Sequence, residues 1–126
     1  VDVSPEKHDY AREYLGEVDN VEFKLMDVYG QRWDFEEKDS IVFIDCVHDY
    51  QHLKSDIDNA MSTFDKPVII FDDYGLFPDL KQLIDEYVVQ GKLKILKKIG
   101  EHPGKFYPKT QNKILRDSEG LICQSL

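Results

Sequence analysis

Two short stretches of this chain end an apolar run in acid: Phe43-Ile44-Asp45-Cys46-Val47-His48-Asp49-Tyr50, and Val68-Ile69-Ile70-Phe71-Asp72-Asp73-Tyr74-Gly75. Ligands of open α/β sheets bind outside the carboxyl ends of the strands. If the two runs are neighbouring strands, Asp45, Asp72 and Asp73 converge at one rim. Three carboxylates held together repel unless a proton or a cation sits among them. A hard divalent cation is the natural guest of such an all-oxygen cluster. His48 is the first candidate for a base beside it, because histidine is the side chain that titrates nearest neutrality. His48 and His52 would also share a helix face and could join Asp45 around a transition metal. The plainer alternatives are strand-end aspartates that cap turns and solvated histidines at a helix start.

The elements that must position these residues follow from pattern. Ile41 to Ile44 and Val68 to Phe71 are β-branched and aromatic with no polar alternation. That predicts strands buried on both faces of a parallel sheet. Between them, Leu53, Ile57, Ala60, Met61 and Phe64 recur at helical spacing over 51–64. Pro78 starts a second helix that buries Leu80, Leu83, Ile84, Tyr87 and Val88, and Gly91 closes it. Upstream, Ser4-Pro5-Glu6 is a helix start running to about Leu15, with Gly16 ending it. Val21 to Leu25 alternates as a strand and leads to Asp27. Trp33 and Phe35 should pin the polar loop from Tyr29 to Ser40 to the body of the domain. Leu93 to Ile99 reads as a strand, and residues 113–126 as a strand or a hairpin turning at Ser118-Glu119-Gly120. Alternation of this kind predicts right-handed crossovers and a mostly parallel sheet between helix layers, with one antiparallel strand near the C-terminus.

Bulk properties narrow the partners. A chain of 126 residues, 41% hydrophobic and 33% charged, suits one globular domain with a real core. Its net charge of −9 argues against a nucleic-acid groove. The only basic cluster, Lys92, Lys94, Lys97 and Lys98, alternates with apolar residues as the wet edge of a strand would. Cys46 and Cys123 have neither metal-ligand spacing nor a disulfide framework, and are expected as reduced thiols of a cytoplasmic protein. No apolar run has bilayer-crossing length, and no basic-then-apolar signal segment is present.

With these residues in view, the chain resembles the class I S-adenosylmethionine-dependent methyltransferases. The nearest branch is the metal-dependent small-molecule and sugar O-methyltransferases of the macrocin O-methyltransferase type. Three stretches carry the likeness. Val1-Asp2-Val3-Ser4-Pro5-Glu6 is similar to the end of the family's second strand. Phe43 to Tyr50 is similar to a fourth-strand motif written F-I-D-G-D-H-x-Y, and Ile70 to Gly75 to the fifth-strand D-D-Y-G segment. The resemblance implies a Rossmann-like α/β sheet and S-adenosylmethionine as cofactor. It implies that Asp2 accepts hydrogen bonds from the ribose and that Asp27 sits near the adenine amino group. It implies that Asp45, Asp72 and Asp73 coordinate a divalent cation, magnesium first, and that His48 and Asp45 serve catalysis on a small hydroxylated substrate. Cys46 and Val47 depart from the glycine and second acid of the fourth-strand motif, and Asp65-Lys66-Pro67 stands where a Gly-Gly turn is common. The family's first strand and glycine-rich loop should lie about twenty residues before the ribose acid, which here is Asp2. Residues 1–126 therefore read as a single, partial domain, incomplete at the N-terminus.

Two other readings stand beside methyl transfer. A non-catalytic remnant would act as an assembly module, self-associating to cover exposed sheet edges. A metal-dependent hydrolase would use the carboxylates with His48 and His52.

Overall fold

The computed structural model describes residues 4–16, 18–36, 38–100 and 118–126. The chain forms two compact units, Val1–Trp33 and Asp34–Leu126.

The first unit holds helix α1, Pro5–Leu15. Ser4 caps it, its Oγ accepting the Lys7 N–H at 3.4 Å, and Pro5 occupies the first turn. Gly16 ends it at φ 63°, its N–H donating to the Arg12 carbonyl, a left-handed turn that glycine takes without strain. No residue of α1 is buried. Val21 to Leu25 does not become a strand; Leu25 makes a single bridge. Alternation specifies which side chains share a face but supplies no neighbour to pair with the backbone. Trp33 makes a local bond, donating Nε1–H to the Val28 carbonyl at 3.1 Å. The expected strand end at Val1–Val3 lies outside the described residues.

The second unit is a mixed α/β sheet with two helices: β1 Ile41–Ile44, α2 Tyr50–Thr63, β2 Val68–Phe71, α3 Pro78–Val89, β3 Leu93–Ile99 and β4 Gly120–Ser125. The strand order is β1-β2-β4-β3. β1 and β2 are parallel, and β4 runs antiparallel to both β2 and β3. The antiparallel C-terminal strand is thus present, inserted between its neighbours. At its start Gly120 passes so close to β2 that a Cβ would lie 2.7 Å from the Phe71 carbonyl oxygen. Any side chain there would push β4 off the sheet.

From β1 through β2 to β3 the chain advances across the sheet in one direction. Right-handed crossovers then put α2 and α3 on the same face. Burial agrees. Ile44, Ile69, Phe71, Leu121 and Cys123 are sealed, together with Leu53, Ile57 and Ala60 of α2 and Leu80, Leu83 and Ile84 of α3. The alternate residues Ile41 and Phe43 are 71% and 61% exposed. The expectation of β1 buried on both faces is therefore corrected: within this unit the helices cover one face. An unbroken apolar run records no alternation, so it cannot say which face is covered. Among the described residues β3 forms the other edge, with Lys94, Lys97 and Lys98 in solvent as expected. Phe35 stacks on Phe64 at 5.7 Å, pinning the loop ahead of β1 to the end of α2.

Polar contacts hold the helices together. Tyr50 donates to Glu86 Oε2 and Tyr87 to Asp58 Oδ1, each at 2.6 Å. Asp56, on the buried face of α2, is only 1% exposed, and neither carboxylate oxygen has a hydrogen-bond partner. Burial pushes its carboxyl up to about 6, against a smaller opposing pull from His52. A carboxyl raised in the folded state stabilises the fold below its unfolded pKa, and that stability is lost as pH rises through about 6. The loss reaches on the order of 3 kcal/mol. Asp56→Asn should therefore melt above the parent at pH 7.5, with the gap closing toward pH 4. A gap that stays constant across a calorimetric pH series would show that Asp56 does not titrate in this way.

Candidate functional site

The parallel pairing of β1 and β2 builds the rim. Its register sets Ile44 opposite Phe71, and the Asp72 N–H donates to the Ile44 carbonyl at 3.3 Å as the last rung. Asp45 and the Asp72-Asp73 pair therefore leave the sheet side by side. Asp73 takes a left-handed backbone, φ 58°, which an aspartate tolerates better than most residues. Its carbonyl then accepts the N–H groups of Leu76 and Phe77 at 2.9 and 3.2 Å, turning the chain into α3. Tyr74, 2% exposed, locks this turn by donating to Asp85 Oδ1 at 2.8 Å. Lys81 in turn donates to the Tyr74 hydroxyl. Tyr74 is thus a packing residue.

The two neighbouring acids part here. Asp72 Oδ1 accepts the Asp73 backbone N–H at 2.9 Å. Asp73 instead joins Asp45 and His48, and one donor atom from each of the three lies within 4.8 Å of the other two. His48 Nε2 stands 4.0 Å from Asp45 Oδ1. Its ring stacks on Phe77 with centroids 4.4 Å apart and planes 4° from parallel. Among the described residues this is the one group of its kind. The expected set of Asp45, Asp72 and Asp73 thus comes together in part, with a histidine nitrogen beside two of its carboxylates.

Beside the triad opens a cleft of about 540 Å³, lined by residues 46–49 and 77–79. Its other carboxylates are engaged as helix caps. Asp49 Oδ1 accepts the Gln51 and His52 N–H groups at 3.1 Å, and Oδ2 lies 2.5 Å from His52 Nδ1. The His52 backbone bond, then its side-chain bond, hold the Asp49 carboxyl below its usual range. Asp79 Oδ2 accepts the Tyr50 N–H at 3.3 Å, tying the start of α2 to the start of α3. His52 is thus engaged with Asp49 and is not in the donor group.

The expected cofactor acids lie elsewhere in the chain. Asp2 is outside the described residues. Asp27 belongs to the first unit, where Oδ1 accepts the Tyr29 N–H at 3.0 Å. Gly30 packs so tightly in this turn that a Cβ would lie 2.6 Å from Asp27 Oδ2. The sequence reading missed Phe77 as the platform for His48. Its only signal was position, immediately before the helix-starting Pro78.

Compared with models of protein families, with curated proteins and with solved structures, the chain matches none.

The two acids of the pair should respond differently to neutralisation. Asp73→Asn keeps a residue that accepts the left-handed backbone, so its melting temperature should stay near the parent's. Its affinity for a divalent cation should fall by about tenfold or more. Asp72→Asn should cost less affinity. Equal losses in calorimetric titrations with manganese would remove this division of roles.

Proposed function

We propose that the chain takes part in O-methyl transfer from S-adenosylmethionine to a hydroxyl of a small molecule, assisted by a divalent cation. The observation that carries the reading is the convergence of Asp45, Asp73 and His48 at the carboxyl ends of two adjacent parallel strands, beside a cleft. The resemblance of residues 43–50 and 70–75 to metal-dependent O-methyltransferase motifs supports it. So does the antiparallel β4, which suits the Rossmann-like sheet of that family with its antiparallel C-terminal strand.

The donor set suits a cation. Two carboxylates and an imidazole face one another, and bonds of about 2.1 Å need donors roughly 3.0–3.5 Å apart. Closing from within 4.8 Å takes about an ångström of side-chain movement. A cation held there lowers the pKa of a substrate hydroxyl and orients it. Asp45 and Asp73 supply the negative charge that holds it. Asp72, bonded to the Asp73 N–H, fixes the turn that presents Asp73. His48, flat against Phe77, borders the cleft in which a substrate would lie. Neutral imidazole has one basic lone pair, so His48 accepts a proton or binds the cation, never both at once. In this reading Asp2 and Asp27 serve the cofactor's ribose and adenine.

A second reading rests on a different observation. Ile41 and Phe43 are largely exposed on β1, an edge strand among the described residues, and exposed apolar edges invite pairing. An assembly module would self-associate and bind no cofactor.

Calorimetric titration of S-adenosylhomocysteine, with and without a divalent cation, separates the two. One-to-one binding is the expected result. No binding, together with a sedimentation profile showing self-association, would favour the assembly reading instead.

A further inference from the structure

We infer that His48 is a ligand of the bound cation, and that the site therefore selects a borderline transition ion such as manganese or cobalt over magnesium. This deepens the proposed function and rests on its cation site.

The geometry separates the candidates for third donor. Asp72 Oδ1 accepts the backbone N–H of Asp73, while His48, whose Nε2 lies 4.0 Å from Asp45 Oδ1, belongs to the group that also contains Asp73. His48 is also held in place. Its ring is clamped flat on Phe77, and its side chain is 12% exposed. A rigid donor loses little freedom when it binds. The clamp itself is fixed by the fold, since Phe77 directly precedes α3 and its own N–H is bonded to the Asp73 carbonyl. Ligand and platform thus both hang on the Asp73 turn.

Donor chemistry then selects the ion. Magnesium favours all-oxygen surroundings and keeps much of its water. Imidazole nitrogen suits manganese, cobalt, nickel and zinc, with affinity rising along the Irving–Williams order. Two carboxylates and one imidazole leave room for oxygen ligands such as water or a substrate hydroxyl. In this arrangement the lone pair of Nε2 is committed to the cation. His48 is then a positioning group for the ion rather than the base that takes the substrate proton.

The test is a metal titration that needs neither cofactor nor substrate. Parent, His48→Phe and Asp73→Asn chains are titrated calorimetrically with manganese chloride and magnesium chloride. Phenylalanine preserves the stack on Phe77 while removing the nitrogen, and circular dichroism melts verify that each variant is folded. The parent should prefer manganese by about tenfold or more. His48→Phe should bring the two ions to within about threefold of each other by weakening manganese alone. Pulsed electron paramagnetic resonance of the manganese complex should detect a coordinated nitrogen in the parent and none in His48→Phe. Equal affinities with no nitrogen signal would overturn the inference while leaving cation-assisted transfer intact. No binding of either ion to the parent would overturn both the inference and the cation site. Nitrogen-ligated manganese in a chain that binds no S-adenosylhomocysteine would uphold the inference and remove the transfer reading alone.

Discussion

Parallel pairing of β1 with β2 sends two chain segments out of the sheet at the same rim, both of them acidic. The ladder runs to its last possible rung, the Asp72 N–H on the Ile44 carbonyl, so the acids cannot spread apart. Each carboxylate there needs its own compensation, because like charges in a confined space raise one another's cost. Asp49 and Asp79 both spend theirs on backbone N–H groups at the start of α2. Asp72 spends its own on the turn. Asp45 and Asp73 come together with His48.

The same turn ties chemistry to packing. Asp73 sits in a left-handed conformation, a sparsely populated region for a residue with a side chain, and such residues persist where the surroundings hold them. Here the hold comes from Leu76, Phe77 and Tyr74. The Tyr74 hydroxyl reaches Asp85 and receives Lys81. Burial pulls Lys81 down, but the bonds to Tyr74 and Asp85 outweigh it and keep the ammonium above its ordinary range. Tyr50 to Glu86 and Tyr87 to Asp58 brace α2 against α3 from the other side. Packing of α3 thereby fixes Phe77, and Phe77 fixes the ring of His48. Asp56 is the discordant member of this assembly, a carboxylate sealed in α2 with no partner for either oxygen.

The second unit has an asymmetric surface. Its helices share one face because both crossovers advance the same way across the sheet. The open face carries exposed Ile41 and Phe43, while the far edge at β3 is guarded by lysines. Among the described residues, lysines guard the β3 edge while exposed apolar side chains mark the β1 edge.

Much of this was legible in the residues themselves. Caps and turn formers marked α1 and α3, because Ser4, Pro5, Gly16 and Pro78 satisfy local backbone requirements that need no distant partner. Helical spacing marked α2, and the paired apolar runs marked β1 and β2 with their acids at the same end. The amino-acid order alone therefore determined the α/β class and which segments carry the candidate chemistry. It misjudged Val21 to Leu25, since a strand exists only where another backbone pairs with it. It also misread the exposure of β1, because a continuous apolar run is silent about which face is covered. Tertiary structure alone decided which acid of the Asp72-Asp73 pair faces Asp45, since that depends on the backbone torsion at Asp73 and on the hydrogen bond that claims Asp72. It likewise decided that His48 lies flat on Phe77, a contact between residues 29 positions apart that only tertiary packing can create.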